Sequence, residues 1–286
     1  MPHKQLNSDD NNSNKLQSFN KVNIKEIEPT IENITEYIFK DFNNVINELI
    51  NLILKRLNEG KNEEIIKKNV IDFFNIHMII LKEIYDWFLN NQNNSNSIFF
   101  LGYFNYHGIE TNINKKKAMQ LYQKAADLGN SMARLYLTNI YIYENCISNC
   151  DKAFKLSEKL AEEGIPNAIN NLGYCYHWGF GTSTNYQKAF ELYQKAADLG
   201  NMYGLYNIGW CYSIGAGFEF NEQKALESFQ KAANSGYDAA QCKLAFMYEN
   251  GDVIEKDMDK AIYWYKKSAE QGYECSQHKL KKISKE

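Results

Sequence analysis

A chain of 286 residues is long enough for one large domain or two ordinary ones, and 44% hydrophobic residues supply ample material for a core. A net charge of −3 and a pI near 6.0 argue against a surface that tracks phosphates, so we expect no nucleic-acid partner. No stretch approaches the roughly 20 apolar residues that cross a bilayer, which predicts no direct membrane insertion.

The first residues of the chain are strongly polar. Residues 1–25 are crowded with Asn, Ser and Asp, and we predict a disordered tail because they hold too little apolar surface to repay ordering. They show no charged-then-apolar leader, so we expect a cytoplasmic protein. The six cysteines fit no disulfide framework and are interpreted as structural thiols of a reducing compartment.

Residues 26–90 are predicted to form a helical hairpin. Thr30 is a candidate N-cap for a first helix whose apolar residues keep helical spacing to about Leu57. A turn at 59–62 precedes a second amphipathic helix that runs to Phe88. We interpret this hairpin as a cap on the repeats that follow, and a helical element for self-association is the alternative. Residues 91–96 form an Asn-rich linker.

The rest of the chain is periodic. The dipeptide Lys-Ala recurs in steps of 35, 36, 36 and 36 residues, with its lysine at Lys117, Lys152, Lys188, Lys224 and Lys260. A glycine closes each unit with the same steps, at Gly129, Gly164, Gly200, Gly236 and Gly272. The string LYQKAADLGN occurs at both 121–130 and 192–201. Such a period predicts a repeat architecture whose units bury their apolar faces only by stacking on each other.

Each unit is predicted to contain two helices. The first carries Leu-Gly-x-x-Tyr, as at Leu172, Gly173 and Tyr176, where Leu and Tyr share one face. The glycine lacks a Cβ atom and would let a neighbouring helix approach closely. The second helix carries Lys-Ala-x-x-x-Tyr-x-Lys-Ala-Ala, an amphipathic stripe.

These motifs resemble the Sel-one-like repeat family, which is related to the tetratricopeptide repeats; the stretch 250–272 matches its pattern nearly throughout. The resemblance implies an all-α fold, a right-handed α/α superhelical solenoid. It covers 97–273 as five units, and 274–286 would be a C-terminal capping helix. The five units are 97–130, 131–165, 166–201, 202–237 and 238–273. The second unit departs from the pattern at Thr138 and Ser157, so we expect it to be locally bent.

No residues form a recognisable catalytic frame, cofactor site or metal site. Gly179-Phe180-Gly181 stands between two predicted helices and not after a strand, and the histidines lack second ligands at metal spacing. The resemblance implies a non-enzymatic scaffold or adaptor that binds proteins or peptides on its concave face, in signalling or in the manner of fungal chitin-synthase regulators. The layout is similar to fungal multi-copy repeat proteins, although no kinase motif is present here. The alternatives are a hydrolase of the β-lactam-acting repeat type and an RNA-binding helical repeat array.

Candidate protein-binding residues come from the first helix of each unit. Counted from the preceding closing glycine, the seventh, tenth and fourteenth positions share one face, and the tenth is aromatic in four units. Aromatic rings beside amides make a plausible peptide groove. The candidates are Tyr103, Asn171, Tyr174, Trp178, Asn207, Trp210, Lys243 and Phe246. The alternative is that the aromatic residues pack between adjacent first helices as core.

Overall fold

The computed structural model describes residues 31–144, 146–217 and 219–284, and these ranges form fourteen α-helices and no strand. The helices are α1 (Ile31–Asn58), α2 (Glu63–Ile76), α3 (Leu81–Asn90), α4 (Ser95–His107), α5 (Lys115–Asp127), α6 (Ser131–Tyr143), α7 (Cys146–Glu162), α8 (Pro166–Trp178), α9 (Tyr186–Asp198), α10 (Met202–Ile214), α11 (Glu222–Asn234), α12 (Asp238–Asn250), α13 (Met258–Glu270) and α14 (Glu274–Ile283). The all-α solenoid expected from the sequence is confirmed.

The chain divides into two compact units, residues 1–48 and residues 49–286. The first unit contains the beginning of α1, and the tail predicted at 1–25 lies outside the described residues. The second unit contains the last turns of α1, where Leu49, Ile53 and Leu57 are buried, and all of the repeats. In the described ranges, no helix combines the length and the apolarity that a bilayer crossing requires.

The stretch predicted as the second hairpin helix consists of two helices, α2 and α3. Met78 lies between them in the left-handed region, with φ 55°, and the Ile79 N–H donates to the Phe74 carbonyl at 2.9 Å. This is a Schellman-type ending in a position where glycine is usual, so no sequence signal marked it. The break allows both helices to place aromatic side chains on α4: Phe74 lies 6.1 Å from Phe104, and Phe88 stacks on Phe100 at 5.5 Å.

Asparagine side chains begin most of the repeat helices. Asn114, Asn185 and Asn221 each accept a hydrogen bond from the backbone N–H three residues later, and Asp257 does the same at α13. These residues satisfy amide groups that a helix leaves unpaired in its first turn. The period of the sequence therefore includes a capping residue as well as the apolar stripe.

Within each unit the two helices meet where an aromatic ring of the second fills the space beside a glycine of the first. A Cβ atom built on Gly173 would lie 2.8 Å from the Tyr193 ring, and one built on Gly209 would lie 2.7 Å from the Phe229 ring. Both rings are fully buried. The glycine expected to allow close helix approach therefore accommodates a ring.

The second unit changes both members of this pair. Thr138 replaces the glycine and Ser157 replaces the ring, and both are fully buried. A larger residue on one helix is thus matched by a smaller one on the other. The same unit contains the expected irregularity, because Asn149 interrupts α7 with non-helical backbone angles.

The glycine–ring pair predicts non-additive effects on stability. Gly209→Thr should cost about 1–3 kcal/mol by overpacking, and Phe229→Ser about 3–5 kcal/mol through the cavity it leaves. The double variant reproduces the arrangement of the second unit, so its loss should be smaller than the sum of the two losses by about 1 kcal/mol or more. Chemical denaturation of the four proteins measures this coupling. Strictly additive losses would show that the two side chains do not share one space.

Candidate functional site

Two of the candidate binding residues are buried. Tyr103 is fully buried in the first unit, with its ring 4.2 Å from His107 and 5.8 Å from Tyr136. Asn171 is also buried and donates to Asn139 of the neighbouring first helix at 2.7 Å. For Tyr103 this is the core packing that was the alternative for the aromatic candidates, and neither Tyr103 nor Asn171 is accessible to a partner in this conformation.

Asn207 connects first helices in the same way. Its amide donates to the Asn170 side chain at 2.8 Å, although Asn207 itself is only half-buried. Amide pairs between successive units satisfy each other and fix the register of the stack. The asparagines that were candidates for binding an extended peptide therefore have partners within the solenoid.

The aromatic candidates of units three to five reach the surface. Trp178 is 58% exposed, Trp210 is 37% exposed and Phe246 is 38% exposed, whereas Tyr174 is half-buried. Two further exposed residues, Tyr143 and Ile214, occupy the fourteenth position and were not among the candidates. We use the name aromatic strip for the exposed or half-buried large apolar residues at the tenth and fourteenth positions of units two to five. They are Tyr143, Tyr174, Trp178, Trp210, Ile214 and Phe246.

Lysine ammonium groups lie over the rings at one end of the aromatic strip. Lys243 Nζ is 4.7 Å from the Trp210 ring centre and 5.6 Å from that of Phe246, and Lys279 Nζ is 5.3 Å from Phe246. Lys279 also pairs with Glu249 at 2.9 Å. Cation–π contacts of this kind hold the rings in fixed positions without burying them. At the other end, Tyr143 lies 5.7 Å from Tyr174.

The turn between α1 and α2 is bound by the repeats. We call residues 57–63 the docked turn. Asn58 accepts a hydrogen bond from Asn201 at 3.2 Å, and Lys61 donates to the Gly236 carbonyl at 3.2 Å and to Gln271 at 2.9 Å. The Asn62 amide donates to the Gln271 carbonyl. These partners lie at the turns that close units three, four and five.

The position of the docked turn requires the repeats to curve. First helices stack about 8–10 Å apart, so those of units one and five would lie about 32–40 Å apart in a straight array. The six residues from Asn58 to Glu63 span no more than about 20 Å even when fully extended. Nevertheless Glu63 contacts His107 of the first unit at 3.4 Å while Lys61 reaches Gln271 of the fifth. The docked turn therefore lies on the inner surface of the solenoid.

Gly60 allows this close approach. Its φ of +69° is in the left-handed region, and a Cβ atom there would lie 2.5 Å from the Tyr237 ring. Any side chain would strain the backbone and also collide with a buried ring. The turn predicted at 59–62 therefore joins α1 to α2 and also contacts the end of the fourth unit at Tyr237.

Glu63 and His107 form an unusual pair at one end of the docked turn. The Glu63 side chain keeps 43% of its surface, but its Oε2 atom and the His107 Nε2 atom that faces it are both inaccessible. Neither atom has a hydrogen-bond partner among the described residues. Burial, with the nearby Glu144 and Glu64 carboxylates, raises the pKa of Glu63 to about 7. Burial, with Lys67 and Lys115, lowers the pKa of His107 to about 3.

Three of the thiols lie in the core of the repeats. Cys175, Cys211 and Cys242 are buried and free. Burial raises the pKa of Cys175 to about 12 and that of the other two to about 11, which keeps the nucleophilic thiolate scarce. Among the described residues, no group of three or more His, Cys, Asp or Glu side chains could hold a metal ion.

The Sel1 repeat model matches residues 95–130, 143–165, 166–201, 203–237 and 238–273, which is more than half of the chain. The chain belongs to the Sel1 repeat family. The second match begins only at 143, the last residue of α6, in the unit that contains Thr138 and Ser157.

Similar proteins come from distant organisms. Human protein sel-1 homolog 2 is 29% identical over 168 residues, which is 56% of this chain and 23% of the human protein, so the chain spans about a quarter of that relative. A Sel1 repeat protein of Oxalobacter formigenes superposes with a TM-score of 0.56 at 31% identity, over 67% of this chain and 78% of that one. The protective antigen c5321 of uropathogenic Escherichia coli, which has the SLR fold, gives 0.50 at 27% identity, over 70% and 44%.

Weakening the docked turn should loosen it without unfolding the Sel1 repeats. Lys61→Ala combined with Asn62→Asp removes three hydrogen bonds to units four and five, while the aspartate still accepts the capping bond that Asn62 accepts from Ile65. Amide hydrogen exchange in 49–62 should accelerate by about tenfold or more, because each lost bond is worth about 0.5–1.5 kcal/mol. Lys68→Ala, which changes an exposed lysine of the adjoining helix α2, is the control. Unchanged exchange in the double variant would mean that other contacts hold the turn.

The Glu63 carboxyl predicts a pH-dependent stability. Its pKa is raised in the folded protein, from 4.5 to about 7, so folding takes up a proton between these values and stability falls as pH rises through that window. Glu63→Gln removes this loss. The variant should melt at the same temperature as the native chain near pH 4 and at a higher temperature near pH 8, as calorimetry at several pH values would show. A variant that is less stable at pH 8 would contradict the assigned protonation.

Proposed function

We propose that this Sel1 solenoid is a non-enzymatic scaffold that binds another protein or peptide through the aromatic strip. Sel1 repeat solenoids are commonly scaffolds for protein–protein interaction. The observation that carries the proposal is the recurrence of exposed apolar residues at the same repeat position in successive units, at Tyr143, Trp178 and Ile214. Exposed apolar side chains that line up in this way are typical of interaction surfaces, whereas scattered ones are ordinary.

The docked turn restricts where the partner binds. The inner surface near the closing turns of units three to five is already filled by the chain's own Asn58, Lys61 and Asn62. A partner that used the same groups would first have to displace them. The aromatic strip needs no such displacement, and its rings carry little rotational entropy to lose on binding.

The composition of the strip favours a partner with apolar anchors and acidic flanks. Trp210 and Phe246 offer flat apolar faces, and Lys243 presents an ammonium group between them. A role in signalling, or one like that of chitin-synthase regulators, would fit such a scaffold and is proposed only on the family resemblance. The β-lactam-acting hydrolase and the RNA-binding array remain the alternatives, and no described feature favours either. Self-association through the N-terminal helices stays a prediction.

Removing the two tryptophan rings of the strip should abolish partner binding and leave the fold intact. We expect Trp178→Ala with Trp210→Ala to lower stability only modestly, since both rings are substantially exposed, and to abolish capture of partners from a lysate of the native organism. Tyr186→Ala with Tyr263→Ala is the matched control, because these rings are similarly exposed but lie on second helices. Mass spectrometry of the captured proteins and thermal melts give both readouts. Equal capture by the two double variants would contradict the proposal.

A further inference from the structure

A cavity of about 300 Å³ lies between the docked turn and the first helices of the repeats. Its wall contains four tyrosines from three repeat units: Tyr106 of the first unit, Tyr136 and Tyr143 of the second, and Tyr203 of the fourth. Asparagine side chains and the aliphatic side chains of Leu57 and Ile140 also line the cavity. Aromatic faces that surround one space have an electron-rich surface, which attracts cations.

Two carboxylates also line the cavity, and they differ in their partners. Glu144 is compensated: Lys115 pairs with it at 3.1 Å and the Tyr106 hydroxyl donates to it. Glu63 has no cation beside its Oε2 atom among the described residues, only the His107 ring, whose lowered pKa keeps it neutral. Lys61 reaches the edge of the cavity, but its ammonium group binds Gly236 and Gln271.

A second polar group in the wall is also unsatisfied. Tyr136 is only 2% exposed, and its hydroxyl has no hydrogen-bond partner among the described residues. A buried hydroxyl without a partner costs about 1–3 kcal/mol, so a ligand that forms a hydrogen bond with it would gain free energy. The site thus presents a carboxyl oxygen and a hydroxyl group that have no hydrogen-bond partner among the described residues, in a wall that contains four tyrosines.

We propose that this cavity binds an organic ammonium group, which belongs either to a free amine or to a lysine side chain of a partner. The ammonium group would pair with Glu63, contact the faces of the tyrosines and leave its alkyl groups against the apolar wall. Cation–π contacts combined with a carboxylate are a known means of recognising alkylated ammonium ions. An anion would meet Glu63 and Glu144, and would gain nothing from the rings.

A metal ion fits this cavity less well than an ammonium ion. Calcium requires six to eight oxygen ligands and magnesium requires near-octahedral geometry. In the described part of the chain, no third acidic, histidine or cysteine side chain joins Glu63 and Glu144 in a metal-binding group. The wall is instead mostly aromatic and amide, which suits a large and weakly hydrated cation.

Binding should be coupled to the ionisation of Glu63. The groups that face it are His107, Glu144 and Glu64, with Lys67 and Lys115 close to His107. Since only the ionised carboxyl attracts a cation, affinity should rise by about tenfold or more between about pH 5 and pH 8. An amine held by the rings alone would show no such dependence.

Calorimetric titration of the full-length protein tests this assignment with two kinds of probe. The first is tetramethylammonium, and the second is a short peptide with a central trimethyl-lysine, compared with the same peptide carrying norleucine. Saturable binding of tetramethylammonium that strengthens with pH supports the site. Tighter binding of the trimethyl-lysine peptide assigns a partner's side chain, and binding of the small cation alone assigns a free amine.

The decisive variant is Glu63→Gln, which should weaken binding of either probe by about tenfold or more. Asp72→Asn removes an exposed carboxylate further along α2 and should leave affinity unchanged. Tyr136→Phe, which removes only the hydroxyl, should change affinity less than Glu63→Gln does. A thermal melt establishes that each variant is folded. Equal affinity in Glu63→Gln, binding of the norleucine peptide as tight as that of trimethyl-lysine, or no binding of either probe would overturn the assignment.

Tyr143 belongs to both the aromatic strip and the cavity wall, but Trp178 and Trp210 do not line the cavity, so a free amine bound there needs no contact with either tryptophan. The Trp178→Ala and Trp210→Ala variant should therefore bind tetramethylammonium normally even where it loses its protein partners. Loss of one activity without the other separates the cavity from the scaffold function.

Discussion

The contact between a ring and a glycine determines how the two helices of each repeat meet. In units one, three and four, a fully buried tyrosine or phenylalanine of the second helix lies against a glycine of the first. The first helix cannot carry a side chain there, because its Cβ would lie under 3.0 Å from ring carbons. The glycine–ring contact therefore sets the closest approach of the two helices in these units.

The second and fifth units depart from the glycine–ring contact in different ways: the fifth replaces only the glycine, and the second replaces both residues. In the fifth, Ala245 replaces the glycine while Tyr265 keeps the ring. In the second, Thr138 and Ser157 replace both members, and the same unit contains the break at Asn149. A repeat array tolerates such a unit because each unit contacts mainly its neighbours.

Much of this architecture could be predicted from the sequence, because a repeated local pattern determines it. The 36-residue step, the amphipathic stripes and the helix glycines all act within one unit. The break at Met78 was missed since no glycine marks it. The exposure of the tenth position also could not be predicted: Tyr103 is buried where α2 and α3 pack aromatic residues on α4, whereas Trp210 has no such cover among the described residues. Repeat position alone does not determine burial at the end of an array.

The docked turn could not be predicted at all. Its hydrogen bonds join residues 143 to 210 positions apart, and no periodicity relates Lys61 to Gln271. The cavity depends on the same contacts, since Glu63 reaches His107 only because the turn crosses the inner surface. The candidate site therefore consists of two parts. The aromatic strip arises from the repeated local sequence, and the cavity arises from contacts between the docked turn and distant repeats.

The order of synthesis gives the docked turn a further consequence. Residues 58–62 leave the ribosome long before Gln271, which follows Lys61 by 210 residues. At about 5–20 residues per second, the turn waits roughly ten to forty seconds for its last acceptor. During that interval the earlier units stack around an incompletely bound segment. The fifth repeat thus completes the binding of a segment that was made before the first repeat, and the docked turn gains its last contacts only after 210 further residues have been synthesised.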